Sequence, residues 1–253
     1  MFAADSTTLV ICGEDYLGPA TPARGYLETW TLSDHNHPEL VGAPIALGPY
    51  GWLSVSGGTV LAMRVDSATI QLWKILGDAA PVKVGPPLPK LATQITALAL
   101  SPDGKFLAAA TGTELTIWAL ADPSRPELVT SATLKSVDPI RAISFSADTG
   151  MLATASGPPF LQHADLAVWD FSDHRHLAAQ LEPSVPLFLG ISAPIVFDPA
   201  ATSLAARTTD GIELWDTDKH HAVNRICAST IGVLTRDNWS TYVPQLPFRS
   251  MCP

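Results

Sequence analysis

With 253 residues, 47% hydrophobic and 15% charged, the chain has enough apolar material for the core of one large domain. Its net charge of −9 offers phosphate backbones no attraction, so nucleic acid is not an expected partner. No apolar run reaches the ~18 residues that a helical span needs, and Met1-Phe2-Ala3-Ala4-Asp5 lacks the basic start of a signal peptide, so a cytoplasmic protein without a membrane span is expected.

In chain order, short apolar strands recur, and each group closes on a tryptophan. Phe2-Ala3-Ala4-Asp5 reads as the end of a strand, and Leu9-Val10-Ile11-Cys12 is an apolar run in which Cys12 is read as a buried thiol. An insertion of about ten residues, Glu14 to Arg24, precedes the strand that ends at Trp30. The second group runs Leu53-Ser54-Val55-Ser56, Val60-Leu61-Ala62 and Ile70-Gln71-Leu72-Trp73. The third is the clearest. Ile95 to Leu100 is a strand, and Ser101-Pro102-Asp103-Gly104 is a turn in which Pro presets φ and Gly accepts a positive φ. Phe106 to Ala110, Leu115 to Trp118 and Glu127-Leu128-Val129 complete that group. The fourth has Ile143 to Ser146, Met151 to Ala153 and Leu166 to Trp169. The fifth has Ile195 to Pro199, Leu204 to Ala206 and Ile212 to Trp215, with Asp198 in the turn position that Ser101 holds.

Trp30, Trp73, Trp118, Trp169 and Trp215 therefore recur at intervals of roughly 45 residues. The separations Ser56 to Trp73, Ser101 to Trp118 and Asp198 to Trp215 are identical. Asp34 to Val41 and Asp122 to Val129 share Asp, Pro, Glu, Leu and Val in the same places. A period in this range means repeated sheets rather than a two-sheet sandwich. Near-continuous apolar strands with small alanines fit sheets buried on both faces and tapering to a centre.

Trp169-Asp170, Trp215-Asp216 and the turn Ser101-Pro102-Asp103-Gly104-Lys105 resemble the WD repeat. The resemblance covers residues 2 to about 229. It implies an all-β propeller of about five four-stranded blades, the first incomplete and the ring not necessarily closed, at 1–48, 49–91, 92–136, 137–190 and 191–229. Arg225-Ile226-Cys227-Ala228, Leu234 to Trp239, Tyr242-Val243-Pro244 and Cys252-Pro253 are similar to the tail of many actinobacterial WD-repeat proteins. In those, a kinase, peptidase or ATPase module often precedes the propeller. Within the tail, 230–253, Thr235 can cap a short helix that Pro244 ends. The pattern also departs from the family. Gly-His pairs are absent, and Asp210 and Asp66 alone resemble the family's turn aspartate, so the usual buried hydrogen-bond network cannot be assembled. Five blades are fewer than the family's usual seven. The chain reads as the C-terminal piece of a longer product, with a partner-closed ring or a closed five-bladed ring as alternatives.

The chemistry-bearing residues give weaker signals. Six histidines, His35, His37, His174, His176, His220 and His221, follow the tryptophan strands in polar turns on one face, and their spacing has no metal signature. No nucleophile elbow, phosphate loop or zinc-protease motif occurs, so no cofactor and no catalysis are expected. The competing reading is a propeller hydrolase with a metal in its channel. Cys227 and Cys252 can pair in an oxidising compartment and stay free in a reducing one. Insertions Glu14 to Arg24 and Gly157 to His163 enter the same class of loop. Tyr16, Leu17, Phe160 and Leu161 would be apolar anchors for a protein partner there. The expectation is a non-catalytic interaction scaffold, such as the sensor or regulatory segment of a larger signalling protein.

Overall fold

The computed structural model describes residues 7–15, 24–34, 36–47, 54–57, 59–76, 79–135, 137–158, 164–181, 184–185, 195–208, 211–218, 221, 224, 227–228 and 245. The third repeat shows how one blade arises. Strands β9 (Ile95–Leu100), β10 (Phe106–Thr111), β11 (Glu114–Ala119) and β12 (Glu127–Thr133) pair antiparallel in chain order. The β9–β10 turn is built by local chemistry. Ser101 Oγ donates to Asp103 Oδ1 at 2.6 Å and accepts from the Phe106 N–H at 2.9 Å. Asp103 Oδ1 accepts from the Lys105 N–H at 3.0 Å, and Gly104 takes the left-handed φ of 72°.

The same turn joins β13 (Ile140–Phe145) to β14 (Met151–Ser156). There Ser146 Oγ donates to Asp148 at 2.6 Å, the Met151 N–H returns to Ser146 Oγ at 2.8 Å, and Thr149 adopts φ 61°. It joins β18 (Ile195–Phe197) to β19 (Ser203–Arg207) with Asp198 in the serine's role. Asp198 accepts from the Ser203 N–H at 2.7 Å and from Thr202 Oγ1 at 3.1 Å. Asp198 is a turn residue, as its place in the repeat implies.

The other sheets repeat the order. The first holds β1 (Thr8–Asp15) and β2 (Arg24–Thr31), with β3 (Glu39–Leu40) and β4 (Ile45–Leu47) both pairing with β2. Its innermost strand would fall on residues 2–5, which lie outside the described set. The second is β5 (Ser54–Gly57), β6 (Val60–Arg64), β7 (Ile70–Lys74) and β8 (Val82–Val84). In the fourth, β15 (Ala164–Asp170) pairs with β14 and with both β16 (Ala178–Leu181) and β17 (Ser184–Val185). The fifth is β18, β19 and β20 (Ile212–Asp216). Beyond it the described residues His221, Asn224, Cys227 and Ala228 are helical. The tail helix expected within 230–253 lies outside the described residues. No helix is long and apolar enough to cross a membrane among the described residues.

The cores lie between sheets, which makes the sheets propeller blades. Val10 and Leu27 of the first pack on Leu61, Met63 and Trp73 of the second. Ile70 and Leu72 meet Leu107, Ala109 and Trp118 of the third. Leu115 and Ile117 meet Leu152, Trp169 and Phe171 of the fourth. Leu166 and Val168 meet Ile195, Leu204 and Trp215 of the fifth. Each seam thus joins a forward face, carrying the branched aliphatics just ahead of one tryptophan, to a backward face carrying the next tryptophan. Period-two alternation places them so. Alanines on the inner strands, Ala97, Ala99, Ala108 and Ala153, let the sheets approach closely where they converge. Among the described residues, one charge enters this interior. Arg64, at the end of β6, is buried and donates from Nη1 to the Ile95 carbonyl of the next blade at 2.9 Å.

Candidate functional site

The repeated tryptophans are structural. Trp73, Trp118 and Trp169 are buried in seams, whereas Trp30 and Trp215, at the two ends of the array, are half-buried. Their polar handles are satisfied unevenly. Trp169 Nε1 donates to Thr154 Oγ1 at 3.0 Å. Trp30 Nε1 donates to Glu28 Oε2 at 3.0 Å. Trp73 Nε1 is buried with no hydrogen-bond partner among the described residues, and Lys83 Nζ sits 5.3 Å from the centroid of its ring.

Tyr16, Leu17, Phe160 and Leu161, the expected partner-binding anchors, lie outside the described residues. Cys227 is disulfide-bonded. Of its two possible partners, Cys252 and the Cys12 side chain both lie outside the described residues. A cystine persists in oxidising compartments, so it pulls against the cytoplasmic location expected from the N-terminus.

The described histidines are held singly in their own turns. His37 Nδ1 lies 2.8 Å from Asp34 Oδ2, and His176 Nδ1 lies 2.7 Å from Asp173 Oδ2, both on exposed loops. These bonds, with backbone N–H donors, hold the carboxyls of Asp34 and Asp173 below their ordinary values. His174 instead joins a ring cluster with Phe106 and Phe171, at centroid distances of 5.1 and 5.4 Å. His221 lies 3.6 Å from Asp216 Oδ2. Among the described residues no three His, Cys, Asp or Glu side chains gather as a metal ion would need.

A cleft of about 300 Å³ opens between blades four and five. The β13–β14 turn, the end of β15, the β18–β19 turn and the residues after β20 form it. In antiparallel blades these loops share one end of the strands, opposite the end where both insertions emerge. Asp148, Asp170 and Asp218 are among the described residues that line it. Each aspartate also serves its own turn. Asp148 accepts from Ser146 Oγ and the Gly150 N–H, which lowers its pKa despite partial burial. Asp170 accepts from the Ser172 N–H at 2.8 Å. Asp218 donates its N–H to Asp216 Oδ1 at 3.0 Å. No cysteine or histidine is among the described lining residues, and the His221 ring stands 3.9 Å from Asp218 Oδ2.

The feature that sequence reading missed is the forward face of blade five. Ile212 and Leu214 are 77% and 68% exposed. Their repeat equivalents, Leu115 and Ile117 in blade three and Leu166 and Val168 in blade four, are at most 3% exposed. Val196, on the same face, is 49% exposed, and among the described residues β20 pairs only with β19. At the other end, Ile11, Tyr26 and Trp30 form the backward face of blade one, opposite the buried Val10 and Leu27. The Tyr26 ring lies directly over Gly13, where a Cβ would collide with it. Blades one and five therefore carry apolar faces of opposite kind that no other described blade covers. The signal was available: a strand with the seam pattern, Ile-Glu-Leu-Trp, in the last blade.

No protein-family model and no curated protein matches the chain. Solved structures do. A functionally unknown protein from Desulfotomaculum acetoxidans superposes with a TM-score of 0.59 at 15% identity, covering 86% of this chain and 74% of that one. A chain of a mitotic checkpoint complex aligns at 14% identity over 86% of this chain and 73% of that one, with a TM-score of 0.46. The β-propeller domain of Cps50 (Swd1) from Myceliophteria thermophila superposes with a TM-score of 0.50 at 14% identity, covering 77% of this chain and 66% of that one. At such identities the likeness is one of fold, and with the blade seams described above that fold is the β-propeller.

Proposed function

We propose that the chain is a non-catalytic protein-interaction scaffold. The observation that carries this reading is the pair Ile212 and Leu214, exposed at positions where every intact seam of the molecule is dry. Solvated aliphatics on a rigid sheet favour a protein partner that removes them from water. Packed blades hold such a surface in place, so little ordering entropy is lost on binding. The insertion loops with Tyr16, Leu17, Phe160 and Leu161 add a second contact in this proposal.

The blades are proposed to follow the WD-repeat pattern on the strength of Trp169-Asp170 and Trp215-Asp216. The tail resemblance supports a role as the regulatory segment of a larger signalling protein, preceded by a kinase, peptidase or ATPase module or by further blades. Cys252 is the proposed partner of Cys227. Non-reducing peptide mapping checks that pairing, and a Cys12–Cys227 peptide would replace it.

Affinity capture with the wild type, Ile212→Asp/Leu214→Asp and Phe160→Ala/Leu161→Ala tests the scaffold. Each double variant is expected to lose bound protein while its melting transition persists. Unchanged capture by both variants would overturn the reading. Metal analysis of the purified protein tests its non-catalytic part: a stoichiometric divalent ion would favour the hydrolase reading.

A further inference from the structure

At the end of the strands where both insertions emerge, an arginine on the inner strand of blade four is left without an acceptor. Inner strands β9 and β13 pack side by side, and β13 also meets β18 of blade five. Both β9 and β13 carry a bulge near their start. In blade three the register passes from Ile95 opposite Thr111 to Ala97 opposite Ala110 and leaves Thr96 over. In blade four it passes from Ile140 opposite Ser156 to Ala142 opposite Ala155 and leaves Arg141 over. Bulges re-aim a side chain out of the regular ladder. Thr96 fills its place with local chemistry, its Oγ1 donating to the Ala110 carbonyl at 3.3 Å. Arg141 makes no such bond.

The Arg141 side chain is half-buried. Its Nε is closed off from water with no hydrogen-bond partner, and no carboxylate pairs with the guanidinium among the described residues. The two Nη nitrogens are not closed off in this way. Scarcity of acids does not explain the gap, because the chain has 24 Asp and Glu against 15 Lys and Arg. A buried donor on a charged group costs stability when it lacks an acceptor. Arg64, at the same end of its own blade, meets that cost by donating to the Ile95 carbonyl at 2.9 Å. Arg141 stands instead two residues from Pro139, whose carbonyl accepts from the Gly157 N–H at 3.1 Å. Gly157 opens the insertion of blade four.

We propose that Arg141 is the anion contact of the scaffold: its Nη nitrogens take a carboxylate from an acidic segment of the partner polypeptide. The inference rests on the scaffold reading and gives the partner a chemistry. A carboxylate bound end-on neutralises the guanidinium and accepts two charge-assisted hydrogen bonds, which offsets the cost of the sealed Nε. The planar fork of arginine matches a carboxylate as the point charge of lysine does not.

Arginine side-chain NMR tests this on the wild type. The Arg141 Nε–Hε correlation, assigned by its loss in Arg141→Gln, should shift saturably with a blocked oligoglutamate peptide and stay in place with oligoglutamine. Arg141→Gln and Arg141→Lys should each bind oligoglutamate at least about ten-fold more weakly, the lysine variant because it keeps the charge and loses the fork. Arg141→Met should melt at or above the wild-type temperature, because the sealed donor leaves with the side chain.

An unmoved correlation, or undiminished binding by Arg141→Gln, would overturn the proposal. A lowered Tm in Arg141→Met would mark a structural arginine and do the same. So would a shift with inorganic phosphate and none with oligoglutamate, the mark of an adventitious ion only. Capture of partner protein by Arg141→Gln at the wild-type level, with capture lost in Ile212→Asp/Leu214→Asp, would overturn the carboxylate contact and leave the scaffold reading standing.

Discussion

Leu166 and Ile212 occupy the same place in consecutive repeats, and they should respond to truncation very differently. Leu166 is fully buried in the fourth seam, whereas Ile212 is 77% exposed. Fully burying such a side chain is worth about 1.5–3 kcal/mol, and the cavity left by truncation raises the total to about 2–5 kcal/mol. Ile212 retains only about a quarter of that burial and leaves no enclosed cavity, so Ile212→Ala should cost about 0.5 kcal/mol. For a domain of this size ~1 kcal/mol moves Tm by about 2–4 °C. Leu166→Ala should therefore lower Tm by roughly 4–20 °C and Ile212→Ala by about 1–2 °C. Scanning calorimetry at low protein concentration reads both without self-association. Equal losses at the two positions would mean that the seam continues past blade five, and the account of an open array would be wrong.

Thr154→Val keeps the shape of the side chain but strips Trp169 Nε1 of its buried acceptor, so urea unfolding should show a loss of about 1–3 kcal/mol that Thr154→Ser does not share. Ala201→Gly relieves a left-handed residue at φ 58° in the β18–β19 turn. The ~1–2 kcal/mol relieved exceeds the entropy cost of glycine, so Tm should rise slightly. The turn aspartates give the pH dependence. Hydrogen bonds from Ser146 to Asp148 and from the Ser203 N–H to Asp198 hold both carboxyls below their ordinary values; at Asp103 burial pushes the other way and is outweighed by Ser101 and Lys105. A depressed folded pKa stabilises fully above the unfolded value of ~3.9 and is lost as pH falls through the folded value. Tm should therefore be insensitive to these groups from neutrality to about pH 5 and drop below about pH 4. Asp148→Asn should flatten that acid limb.

The turns were legible because their chemistry is local. Ser101, Asp103 and Gly104 satisfy one another within a few residues, and the substitution of Asp198 for serine keeps the same acceptor in the same place. The blade seams were legible for a related reason, since alternation and the tryptophan interval fix which side chains share a face. The pairing of His37 with Asp34 and His176 with Asp173 also follows from an Asp-x-x-His spacing confined to one loop. What the sequence could not reveal is whether a face has a neighbour. Leu115-Thr116-Ile117-Trp118 and Ile212-Glu213-Leu214-Trp215 carry one pattern, yet the first is dry and the second wet. Coverage depends on the number of blades and on how the ring closes, neither of which is written in any one strand. Arg64 was missed because a cation ending an apolar strand normally marks solvent. Here it crosses to the carbonyl of Ile95 in the next blade instead.

Amide hydrogen exchange on the dilute protein tests the central claim most directly, because it reads every strand of the array at once. Packed on both faces and paired on both edges, β11 and β15 should be the slowest to exchange, and β20, bare on its forward face, should exchange much faster despite carrying the same sequence pattern. Protection of β20 equal to that of β15 would contradict an uncovered forward face on blade five.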